Sequence, residues 1–155
     1  MLNFIGLKEQ QEVLRKRIDS RITKVLNHGN YILGPEVFEL EERLSEYIGC
    51  KHCVTCSSGT DALLMSLMAN QVGPGDAVIT SSFTYIATAE VIELLGAKTY
   101  FCDISPTTFN INPDNLEQVY NQASKDGFSV KGIIAVDIFG LPSRYRLLES
   151  FAKDR

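Results

Sequence analysis

Residues 132–136 read Gly-Ile-Ile-Ala-Val, five in a row without a polar side chain. A strand of that kind has no face to give to solvent. It belongs inside a sheet covered on both sides, the usual setting of parallel strands. Parallel neighbours need crossover connections of about a dozen residues or more, usually helical. The rest of the chain supplies both parts. Residues 53–56, 77–80 and 98–102 are further short runs rich in apolar and β-branched residues, and amphipathic helical stretches separate them. The expected fold class is α/β, with a parallel-rich sheet whose strands are 53–56, 77–80, 98–102 and 131–136.

The helices are read from period and punctuation. Leu7, Leu14, Ile18, Ile22, Val25 and Leu26 form one apolar stripe, so a helix is predicted over Leu7–His28, with Gly29 at its C-terminus. Pro35 suits the first turn of a second helix, which buries Val37, Phe38, Leu44 and Ile48 and stops at Gly49. Further helices are expected over 61–69, 84–95, 113–124 and 143–153. No repeat, low-complexity tract or linker interrupts the chain, so one domain is expected over 1–155, with N-terminal helices in 7–48 and an α/β part in 52–155. The last predicted element is a helix that follows a strand. In a parallel sheet such a helix leads to another strand, so the domain is expected to be incomplete.

Charge and composition exclude several classes. Fifteen Lys and Arg against nineteen Asp and Glu give a net charge of −4, with no basic excess to neutralise a nucleic-acid backbone or an anionic membrane. No apolar run approaches the roughly 18 residues that span a bilayer. The N-terminus lacks a signal-peptide pattern, and four cysteines without an export signal point to the cytoplasm and to free thiols.

Two segments carry chemistry. In Cys56-Ser57-Ser58-Gly59-Thr60-Asp61-Ala62-Leu63 a predicted strand runs through a small-residue turn into a helix. The first helical N–H groups lack intrahelical partners and the helix dipole is positive there, so the turn is an anion site suited to phosphate. Gly59 lets a ligand approach, and the Ser58 and Thr60 hydroxyls add donors. The same residues also read as a Ser/Thr N-cap on an ordinary helix. Ser82-Phe83-Thr84-Tyr85-Ile86-Ala87-Thr88 follows another strand. Ligands of α/β sheets bind beyond the carboxyl ends of strands, and an aromatic ring there can stack on a flat cofactor or simply join the core.

Cys50, Cys53 and Cys56 have C-x2-C-x2-C spacing, with His52 among them. A strand would turn Cys53 and Cys56 to opposite faces, and no Gly or Pro opens a metal loop between Cys50 and Cys56. No metal ligands are assigned. His28 and His52, the only histidines, belong to no nucleophile motif.

Taken in order, the motifs resemble the DegT family of pyridoxal-phosphate-dependent nucleotide-sugar aminotransferases. The resemblance rests on Gly29-Asn30-Tyr31-Ile32-Leu33-Gly34-Pro35-Glu36-Val37, on Ser58-Gly59-Thr60-Asp61-Ala62-Leu63, and on Gly75-Asp76-Ala77-Val78-Ile79 followed by Phe83-Thr84-Tyr85-Ile86-Ala87-Thr88. Asp103-Ile104, Asn110-Ile111 and Phe139-Gly140-Leu141-Pro142 continue it in register. It implies a three-layer fold, like the N-terminal part of the large domain of fold-type I transferases. It implies pyridoxal 5'-phosphate as cofactor, its phosphate held by Gly59 and Thr60 with Ser58 nearby, and its ring stacked on Tyr85. It implies amino transfer from an amino acid, usually glutamate, to a nucleotide-linked keto-sugar in lipopolysaccharide or related polysaccharide biosynthesis, by a homodimer. Two positions depart from the family: Asp137 stands where His is common, and Arg144 where Asp is common. The family's Schiff-base Lys and the Asp that pairs with the pyridine nitrogen have no counterpart here. No catalytic residue is assigned, and the chain alone is expected to be inactive.

Overall fold

A computed structural model of the chain describes residues 6–155. They divide into two compact units, one ending at Thr55 and one running from Cys56 to Arg155.

The first unit holds two helices, α1 (Leu7–His28) and α2 (Pro35–Ile48). Each ends on a glycine in the left-handed region, Gly29 at φ 69 and Gly49 at φ 78, as the sequence predicts. The turn between them is tight. A Cβ on Gly34 would stand 2.3 Å from the Asn30 carbonyl oxygen, so only glycine fits. Charged groups tie the helices together. The Arg21 guanidinium donates to both Glu39 carboxylate oxygens, at 2.6 and 3.0 Å, and Arg43 reaches Glu39 at 2.7 Å. Lys24 and His28 each approach Glu36 at 3.0 Å. The expected burial of α2 needs correction. Val37 and Leu44 are half-buried, but Phe38 and Ile48 are exposed, and neither helix has a fully buried residue. Two helices share only one line of contact, which leaves much of each apolar stripe uncovered within the unit.

The second unit is built on three strands, β1 (Asp76–Ser81), β2 (Lys98–Cys102) and β3 (Ser129–Ile134), all parallel in the order β2-β1-β3. Four helices flank them: α3 (Gly59–Ala69), α4 (Ala87–Leu94), α5 (Leu116–Lys125) and α6 (Tyr145–Lys153). β1 is buried on both faces and sorts the core by alternation. Val78 packs with Leu67, Val91 and Ile92 from α3 and α4. Ile79 packs with Ile111, Leu116 and Leu148, the last two from α5 and α6. The result is the expected three-layer α/β arrangement.

Strand 98–102 lies where the sequence places it. The strand predicted over 131–136 instead runs 129–134. Ser129 donates to the Gly75 carbonyl at 3.0 Å, starting the pairing early, and a register shift opposite Ala77 and Val78 absorbs the difference. The strand predicted over 53–56 is absent. Half-buried Cys53 and Thr55 still alternate with exposed Val54 and Cys56, as in an extended chain, but no described strand pairs with them. A strand is defined by its ladder. Here the Thr55 N–H and hydroxyl both donate to Glu41 at 2.8 Å instead. The helix predicted from Thr84 begins at Ala87, because the Phe83 N–H turns back to Ser81 Oγ at 3.2 Å and holds the preceding residues in a turn.

Candidate functional site

α3 starts on Ser58, whose extended backbone (φ −157, ψ 165) makes it the N-cap. Ser58 Oγ accepts from the Asp61 N–H at 3.1 Å and donates to the Asp61 carboxylate at 2.9 Å. The Ser57 hydroxyl donates to the same carboxylate oxygen. These two hydroxyls, Ser57 first, hold the Asp61 carboxyl below its ordinary value. The N-cap reading therefore holds. Ser58 is committed to the cap, while the Gly59 and Thr60 N–H groups stand in the first helical turn, where no intrahelical carbonyl can reach them. Both residues are exposed, and a Cβ on Gly59 would meet nothing within 4 Å. The turn is open to a ligand from outside. Asp61 and Ser57 were not singled out as site residues by sequence. The Ser-x-x-Asp spacing of a reciprocal cap is the signal that points to Asp61.

Tyr85 lies in the turn between β1 and α4, 73% exposed, with its carbonyl accepting from the Thr88 N–H at 3.1 Å. Its ring is not taken into the core. Thr60 from the α3 N-terminus and Ile86, next to Tyr85, line one cleft of about 510 Å³, together with Ala89, Glu90 and Leu94 of α4. Of the residues singled out in the sequence, only Thr60 lines this cleft; Ser58, Gly59 and Tyr85 do not. No hydrogen bond links Tyr85 to Ser58, Gly59 or Thr60 among the described residues. A separate cleft of about 630 Å³ in the first unit is lined by Ile22, Val25, Leu26, Tyr31 and Leu40 and carries no group suited to chemistry beyond its ion pairs.

Beyond the carboxyl ends of the strands, three phenylalanines meet. Phe83 and Phe109 have ring centroids 5.8 Å apart, Phe83 and Phe139 6.1 Å, and Phe109 and Phe139 5.5 Å, edge to face. Phe139 belongs to the loop after β3. In that loop Asp137 accepts from the Ser143 N–H and hydroxyl, each at 2.8 Å, and from the Tyr145 hydroxyl at 3.1 Å. Burial pulls the Asp137 carboxyl upward, but these hydrogen bonds together outweigh it and hold the group below its ordinary value.

The cysteines have ordinary roles. Cys50 and Cys56 donate to the carbonyls of His52 and Ser58, each at 3.2 Å. Cys102 is buried in the sheet, and burial, with Asp103 nearby, pushes its thiol up to about 11. Among the described residues no three His, Cys, Asp or Glu side chains gather as a metal site. No helix among them is long and apolar enough to cross a membrane.

The chain is 47% identical over 152 residues to the UDP-2-acetamido-2-deoxy-3-oxo-D-glucuronate aminotransferase of Pseudomonas aeruginosa, matching 98% of this chain and 41% of that protein. Its structure superposes on the crystal structure of a DegT DnrJ EryC1 StrS aminotransferase from Brucella abortus with a TM-score of 0.95 and 42% identity, over 99% of this chain and 42% of that one. A Bacillus subtilis structure, NtdA with bound cofactor PMP, matches with a TM-score of 0.83 and 30% identity, over 90% of this chain and 31% of that one. The chain thus spans about two fifths or less of the length of these relatives. The DegT/DnrJ/EryC1/StrS aminotransferase family model matches residues 12–155, and the chain belongs to that family.

Proposed function

We propose that this chain forms the phosphate- and ring-binding part of a pyridoxal-phosphate-dependent aminotransferase that moves an amino group from an amino acid, glutamate by preference, to a nucleotide-linked keto-sugar. The observation that carries the reading is the exposed N-terminus of α3, where the Gly59 and Thr60 N–H groups have no intrahelical acceptor. Pyridoxal phosphate, when bound, supplies the electron sink for amino transfer. The chain's own residues bind and orient it. Gly59 and Thr60 fix the phosphate through backbone donors, the Thr60 hydroxyl adds a third, and Tyr85 offers an exposed ring to the flat face of the pyridine. Ser58 acts one step back, by holding the first turn of α3 in shape. The Pseudomonas relative, whose name specifies an oxidised nucleotide-linked amino sugar acid, supports the substrate class. The Bacillus structure with bound PMP supports the cofactor. The setting that fits is amino-sugar synthesis for surface polysaccharide in the cytoplasm, by a homodimer.

Equilibrium dialysis tests the phosphate assignment. Pyridoxal 5'-phosphate is expected to be retained by the chain and displaced by inorganic phosphate, while pyridoxal, which lacks the phosphate, is not retained. Equal retention of the two would sink the assignment.

A further inference from the structure

The loop after β3 is held by side chains rather than by a backbone ladder. Asp137 gathers Ser143 and Tyr145 from the far end of the loop. Midway, the Leu141 carbonyl accepts from Asn110 Nδ2 at 2.8 Å, and Asn110 is only 5% exposed. Gly140, at φ 80, closes the turn by donating to the Asp137 carbonyl at 3.0 Å. Asn110 comes from a different loop, the one after β2, which is itself tightly shaped. There the Ser105 N–H donates to the Asn110 carbonyl and the Phe109 N–H to the Ser105 carbonyl, both at 2.9 Å. Phe109 sits at φ 62, a conformation that a bulky residue adopts only when its surroundings impose it. The strained residue is the one whose ring meets Phe139 and Phe83.

Three loops at the carboxyl edge of the sheet thus converge on three phenylalanine rings. The polar groups that fix two of those loops lie at Asn110 and Asp137. Phe83 is two residues ahead of Tyr85 and is itself held by its N–H and carbonyl on Ser81 Oγ, at 3.2 and 3.1 Å. A shift of Phe139 therefore removes one of the two rings that meet Phe83, the residue through which the cluster connects to Tyr85. We propose that Asp137 and Asn110 are positioning residues that hold the Phe83–Phe109–Phe139 cluster rigid, and through it the turn that presents Tyr85. The role of Tyr85 rests on the proposed function, but the positioning itself does not.

The chain contains no tryptophan, so F139W places a unique fluorophore in the cluster at a site already 69% exposed. In that background D137A, N110A and the milder Y145F are expected to lower indole anisotropy and raise acrylamide quenching. D137N, whose amide can make all three Asp137 contacts, is expected to restore the parent values. Y145F removes one partly exposed hydroxyl and keeps the fold, so the test survives even if D137A does not fold. Parent values in Y145F and N110A would overturn the proposal, because packing alone would then hold the loop. The ligand readout uses the unlabelled chain. D137A is expected to weaken pyridoxal 5'-phosphate by up to about tenfold, the scale of one aromatic stacking contact, and to leave inorganic phosphate binding unchanged. Equal losses for both ligands would show a general structural defect and overturn the link to Tyr85. If the parent chain bound neither ligand, the proposed function would fail, and the anisotropy result would still decide the positioning.

Discussion

Gly59 combines two properties that can be separated by substitution. Its N–H is a candidate phosphate donor, and its missing Cβ leaves the approach open. G59A adds a Cβ that meets nothing within 4 Å and keeps the donor. G59P removes the donor at the first helical position, where proline is well tolerated, and the extended Ser58 before it already meets the restriction that proline imposes. Both variants are expected to fold with parent-like circular dichroism. G59A should bind inorganic phosphate like the parent. G59P should lose roughly tenfold or more, since a hydrogen bond to a charged group is worth about 1.5–3 kcal/mol. Calorimetric titration checks both, and undiminished binding by G59P would remove Gly59 from the site. Ser58 belongs to a different class. S58A is expected to cost about 1 kcal/mol of stability through the lost cap, read from urea unfolding. The sequence shows the small-residue turn and its helix plainly. It does not show that both serine hydroxyls turn toward Asp61, because hydroxyl orientation follows from three-dimensional neighbours.

At the scale of elements, legibility follows how local the cause is. α1 is placed to the residue by its apolar period and by Gly29, both local signals. β2 is equally legible from its composition. Residues 53–56 have strand-like alternation and yet form no strand, since pairing is a property of two segments and the sequence of one cannot supply the other. The loop from Asp137 to Ser143 has no period at all. Its order comes from single hydrogen bonds between residues up to 31 positions apart, such as Asn110 to Leu141, and these leave no sequence pattern. The α1–α2 pair can be tested through its charges. The Arg21 fork, helped by Arg43 and working against partial burial, brings the Glu39 carboxyl down to about 2 from an ordinary 4.5. A carboxyl lowered on folding stabilises the folded state fully above its ordinary value, and that contribution is lost as pH falls through about 2. Helical circular dichroism during acid titration is expected to show a loss between these limits. E39Q should remove that component while sparing changes that begin elsewhere. An identical acid profile in E39Q would mean that the pair does not hold the helices together.

Across the whole molecule, buried apolar surface is unevenly distributed. Every fully buried apolar side chain among the described residues lies in the second unit, from Leu67 to Leu148, while α1 and α2 contain none. Each such side chain is worth about 1.5–3 kcal/mol relative to exposure, so the two units differ strongly in local stability. Hydrogen exchange is expected to be slowest in Ala77–Thr80, the part of β1 paired on both sides, and fast throughout α1 and α2. The exposed apolar stripe that includes Ile18, Ile22 and Leu26 adds a second expectation. If copies of the chain associate, as the proposed dimer requires, burying this stripe gains apolar contact. Association stabilises by mass action only what it contacts. Protection in α1 should therefore rise with protein concentration, while protection in β1, set by its own core, should not follow. The comparison is internal to one sample series, so solvent and temperature cancel. Protection in α1 that stays flat across the concentrations at which sedimentation shows association would place the contact on another surface. A clean monomer throughout would count against the dimer itself.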